Sequence, residues 1–98
     1  MTRKPRDPAW IPALYEPADV EALQAVYGGV ATPYQQRRAL DWIINSAAET
    51  YGEAFRSEAD GGDRETTYAL GRVFVGRQVV KLLKLSPEFT AALRKKNG

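Results

Sequence analysis

Apolar residues recur along this chain at helical spacing, and proline, glycine and small polar residues punctuate the runs. Val20, Leu23, Val26 and Tyr27 fall at three- and four-residue intervals, which predicts a first helix over 18–27 with one apolar face. Pro17 stands at its entrance, Asp19 and Glu21 suit its positive end, and Gly28-Gly29 supplies a stop. Thr32-Pro33-Tyr34-Gln35 reads as a capping box with proline in the first turn. It opens a second helix whose stripe is Leu40, Ile43, Ile44, Ala47, Ala48 and Tyr51, ended by Gly52. Trp42 lies off that stripe, and either widens the core or marks a contact surface.

The most apolar stretch lies further on, with a third helix predicted over 64–85. Steps of 100° put Ala69, Val73, Gly76, Val80 and Leu83 on one face, and Tyr68, Gly71, Val75, Val79 and Leu82 on a second. Thr67, Arg77, Gln78, Lys81 and Lys84 form the wet sector. Two apolar arcs imply neighbours on two sides, within the chain or across an interface. Gly71 and Gly76 each cost about 1 kcal/mol against alanine in a helix interior, which close helix approach could offset. Arg72 falls between the arcs and calls for a carboxylate partner from the acidic segment before it. Ser86-Pro87-Glu88 then restarts a short helix with Phe89, Ala92 and Leu93 on its apolar side, ahead of a basic tail that is expected to fray.

Residues 1–17 carry Pro5, Pro8, Pro12 and Pro17, a spacing no helix tolerates, so they are read as an extended arm. Trp10, Ile11, Leu14 and Tyr15 need an apolar resting place. Either the arm packs over its own domain, or it reaches a neighbouring subunit. The whole pattern predicts an all-α fold: a single helical domain over 18–96, a small bundle of three main helices plus a short C-terminal one, preceded by the proline-rich arm.

Charge is distributed unevenly although the net value is only +2. Residues 49–65 hold Glu49, Glu53, Glu58, Asp60, Asp63 and Glu65 against Arg56 and Arg64. From Thr66 onward seven basic residues face Glu88 alone. Such polarity suits a polyanion partner, or copies of the protein stacked acid to base. Arg77, Lys81 and Lys84, with Arg94, Lys95 and Lys96 in the tail, are candidate phosphate contacts. A helix-turn-helix does not fit, because the connection between the second and third helices is long and acidic.

Reactive chemistry is scarce. The chain has no cysteine and no histidine, which removes disulfides, thiolate metal sites and the usual general base and zinc ligand. Asp60 and Asp63 lack the alternation of a calcium loop; Asp63 reads instead as the cap of the third helix. No phosphate-cradling loop is present, since Gly71 to Gly76 lies within a helix. No cofactor, metal or small-molecule substrate is expected, and the chain is not expected to be an enzyme. No apolar run is long enough to span a bilayer, and no signal peptide is read at the N-terminus.

The order ATPYQQRRALDWIINSA, then YGEAF, then ETTYALGRVFVGRQVVKLLKLSPEF resembles a group of short proteins of tailed phages and prophages, of the type known from a Bordetella podovirus genome. Gly71-Arg72, Gly76 and Pro87-Glu88 stand at that group's motif positions, while Val73 stands where many members have a second arginine. The resemblance covers residues 26–90. It implies a small protein encoded among virion morphogenesis genes, made in the host cytoplasm and a candidate for incorporation in the virion. Its partners would be other phage structural proteins or copies of itself. It implies no particular functional residue. Two alternatives stand beside that reading: a nucleic-acid-binding phage protein using the basic C-terminal third, and a phage-encoded inhibitor of a host enzyme.

Overall fold

A computed structural model describes residues 7–97. Among them 68% of the chain is helical and no strand occurs, the all-α fold that the apolar periodicity predicts. The helices are α1 (Pro17–Tyr27), α2 (Pro33–Asp41), α3 (Gly62–Leu83) and α4 (Pro87–Asn97). A π-helical turn, Trp42–Ala47, continues directly from α2, and a 3₁₀ turn, Glu58–Asp60, precedes α3. Residues 1–6 of the expected arm lie outside the described residues.

Local sequence explains the helix starts. At α1, Glu16 and Asp19 form a reciprocal box, with Asp19 accepting from the Glu16 amide at 2.8 Å. At α2, the Gln35 amide donates to Thr32 Oγ1 at 3.1 Å and Gln35 Oε1 accepts from the Thr32 amide at 3.0 Å. At α4, Ser86 Oγ accepts from the Phe89 amide at 3.1 Å. Each satisfies amides that have no partner inside the helix.

Three expectations are corrected. The second helix does not run regularly to Gly52. It widens into the π turn, closed by the Ala48 amide on the Ile43 carbonyl at 2.9 Å, and ends at Ala48. Ala39, Ile44 and Ala48 are therefore its buried residues, five and four apart, as a widened turn requires. Leu40 is left 37% exposed and Tyr51 73% exposed, because the 3.6-residue stripe loses phase there. Asp63 is not the cap of α3: Gly61 takes that place with φ 107°, and Asp63 sits in the first turn. The basic residues Arg94 to Lys96 are not frayed but form the last turn of α4, where cations suit the negative end of the helix.

α1 packs beside α2, and the π turn packs against α3. Arg38 joins the first pair, donating to Asp19 at 2.8 Å, Glu16 at 3.0 Å and the Tyr34 hydroxyl at 2.8 Å. The core is small-sided: Ala9, Ala22, Ala39, Ile44, Ala48, Ala69 and Val73, and among the described residues no large side chain is fully buried. The shape follows from that. The radius of gyration is 17.2 Å, with extents of 57 × 34 × 19 Å, against about 13 Å for a compact domain of this length.

Candidate protein-interaction surface

Arg72 is the centre from which the surface is organised. Its guanidinium donates to the Ala47 carbonyl at 2.9 and 2.7 Å, the Ser46 carbonyl at 3.2 Å and the Ala9 carbonyl at 2.7 Å. Glu49 Oε2 lies 3.8 Å away. The expected carboxylate is thus present, but backbone carbonyls hold the cation more closely. Ser46 and Ala47 close the π turn, whose last carbonyls lack helical partners. One planar, five-donor group therefore ties the end of the π turn and the arm to α3.

The described part of the arm, from Asp7 onward, lies on its own domain. Besides Arg72 on Ala9, the Ala9 amide donates to Glu65 Oε1 at 3.3 Å, Arg56 to the Asp7 carbonyl at 3.2 Å, and Trp42 Nε1 to the Leu14 carbonyl at 3.0 Å. Every one of these contacts uses arm backbone. Ala9 is buried, but the large apolar side chains of the arm are exposed: Trp10 is 60% exposed, Ile11 39%, Leu14 92% and Tyr15 69%. Trp42 is half-buried and, with Tyr15, Val20 and Leu23, borders an apolar notch of about 180 Å³. Its ring nitrogen anchors the arm.

Gly76 and Gly71 separate sharply. A Cβ at Gly76 would collide with Thr50 Oγ1 and come within 2.9 Å of the Ala48 Cβ. Thr50 is itself fixed, donating to the Ile44 carbonyl at 2.7 Å. Among the described residues, a Cβ placed on Gly71 would meet no heavy atom within 4 Å. Gly76 is pressed against Ala48 and Thr50, just beyond the π turn, whereas Gly71 sits on the opposite, open face with Tyr68, Val75 and Leu82, which are 50%, 55% and 66% exposed.

The basic candidates are likewise divided. Arg77, Lys81 and Lys84 line one open cleft of about 410 Å³ with Thr50, Tyr51 and Gly52. Arg94, Lys95 and Lys96 lie apart on α4, exposed. Among the described residues no group of acidic side chains could hold a metal ion, and no helix is long and apolar enough to cross a membrane.

Several residues that matter here give no signal in the sequence. Thr50 and Glu49 fall within the predicted second helix but off its apolar stripe, so the sequence reads them as ordinary helix surface. Only the positive φ of Glu49 (49°) marks the turn that aims them. Tyr51, on the predicted core stripe, faces the basic cleft instead. Arg56 is buried at 5% exposure, and no local pattern announces it.

Asp19 has its carboxyl held below the usual carboxylate range, first by the Glu16 amide and then by Arg38. Arg38 is pushed up, with the Tyr34 hydroxyl the largest cause and Asp19 adding to it. Both charges lock α1 onto α2, and they line an open cleft of about 690 Å³ with Glu16, Asp41 and Trp42.

No family model matches the chain, and neither a curated protein nor a solved structure matches it.

Proposed function

We propose that this chain is a small phage virion or assembly accessory protein that acts by protein–protein contact rather than catalysis. The observation that carries this reading is the outer face of α3, where Tyr68, Val75 and Leu82 stand exposed around an unobstructed Gly71. Apolar side chains arrayed on a helix face away from the core mark a docking surface. The arm adds Trp10 and Leu14, displayed outward by hydrogen bonds to the arm backbone. The phage setting is supported by the resemblance of residues 26–90. Quantitative mass spectrometry of particles purified from the encoding phage or induced prophage tests it. A fixed copy number per particle is expected, and absence from particles overturns the virion reading.

A second reading has its own support. Tyr51, 73% exposed, borders the same cleft as Arg77, Lys81 and Lys84, and cations beside an aromatic face suit single-stranded nucleic acid. Binding that weakens steeply between low and physiological salt would support it. No binding at low salt would remove it.

A further inference from the structure

We infer that Phe74 joins Tyr51 as a second base-stacking ring beside the Arg77, Lys81 and Lys84 row, so that this side of α3 holds about three nucleotides of a single strand and disfavours duplex. The inference rests on the second, nucleic-acid reading above, and adds to it a residue, a footprint and a preference between strands.

Spacing places Phe74 on the row. Phe74, Arg77, Lys81 and Lys84 follow one another at intervals of three, four and three residues, which keep side chains on one side of a helix. None of the four is among the buried positions of α3. All are exposed, Phe74 at 64%. The turn after the π helix forms the other wall of the cleft of about 410 Å³ and brings Tyr51 there, 73% exposed. An aromatic ring therefore stands on either side of the cations.

The cations are unspent. Among the described residues no acid lines the cleft, and no carboxylate pairs with Arg77, Lys81 or Lys84. Arg38 and Arg72, by contrast, each have a carboxylate at hand. The negative end of α3 accounts for Lys81 and Lys84, but it does not account for two exposed rings beside them. A row of unpaired cations favours phosphates, and the rings favour bases whose faces are free. Arg77 to Lys84 spans about 10 Å along the helix axis, the rise of about three stacked nucleotides. Towards the helix start the same row reaches Asp63, eleven residues before Phe74, where a carboxylate ends the phosphate track.

Fluorescence anisotropy of the full chain with an oligothymidylate of about 12 nucleotides tests the inference. Affinity should fall with salt at a logarithmic slope of about −2, from three phosphates at ~0.7 each. Phe74→Leu, at an exposed position, should weaken binding at least ~5-fold with that slope unchanged, and Phe74→Trp should restore it. Lys81→Gln should instead reduce the slope by about 0.7. The base-paired duplex should bind more weakly than the single strand, and duplex binding as tight as the single strand overturns the inference. Unchanged binding by Phe74→Leu also overturns it, and leaves the nucleic-acid reading standing if Lys81→Gln still weakens the single strand. Binding that survives Lys81→Gln but is lost when Arg94, Lys95 and Lys96 are all replaced by glutamine moves the site to α4 and overturns it too. No binding at low salt removes the inference together with the reading it rests on.

Discussion

On the inner face of α3, Gly76 lies so close beneath Thr50 and Ala48 that even a methyl group would not fit. Five residues earlier, on the outer face, Gly71 has open space around it. Both faces are apolar in sequence, and both glycines weaken the helix by a similar amount. Only the inner face has found its neighbour within the chain, through Ala69, Val73 and Gly76 against the π turn. Two chemically similar arcs on one helix therefore end up differently, one buried in the fold and the other left exposed.

The largest expected effect comes from breaking the inner side at Arg72. Arg72→Met removes every donor to Ala9, Ser46 and Ala47 and leaves those carbonyls without their cation, so a loss of about 3 kcal/mol is expected in urea unfolding. The arm should also become protease-sensitive. A loss under about 1 kcal/mol would mean that the π turn and arm hold without this clamp.

Gly76→Ala comes next. The added Cβ must displace Thr50 from its bond to Ile44, and overpacking should cost about 1–3 kcal/mol despite alanine's better helix propensity. The same change at Gly71 should have the opposite sign. Measured at concentrations too low for self-association, Gly71→Ala should stabilise the chain by about 0.5–1 kcal/mol. Equal effects at the two glycines would erase the contrast between the faces.

Trp42→Phe sharpens the account of the arm. It removes the donor to the Leu14 carbonyl and leaves the ring volume largely in place, so a cost of about 0.5–1 kcal/mol is expected. Hydrogen exchange should speed up in residues 13–16 more than in α3.

The smallest effect concerns pH. The Asp19 carboxyl sits below its usual value of 3.8, so its contribution is complete above that pH and is lost as pH falls through the lower folded value. Acid titration followed by helicity should loosen α1 from α2 in that range, and Asp19→Asn should remove the transition. High salt should blunt it, because the Arg38 pair is partly solvent-exposed.

Helix existence is legible in the sequence because it rests on local signals. Thr32-Pro33-Gln35 and Ser86-Pro87 announce caps whose bonds form within a few residues. The π turn is not legible, since Trp42 to Ala47 is compatible with an ordinary helix until Ile44 and Ala48 must both face α3. Arg72 is recognisable as a buried cation needing a partner, and Glu49 lies at hand. Its principal acceptors are backbone carbonyls, which side-chain identities do not reveal. The arm's proline spacing foretells extension, but the direction of Trp10 and Leu14 depends on bonds made to the arm backbone from residues far along the chain.

Local chemistry along the chain thus determined the all-α class, the starts of α1, α2 and α4 and the two apolar arcs of α3, because caps, prolines and 3.6-residue spacing act over one or two turns. The tertiary structure alone decided which arc is covered, which glycine is filled and where Arg72 is held. Those outcomes depend on close packing between segments distant in sequence, and a spacing pattern cannot say which neighbour arrives.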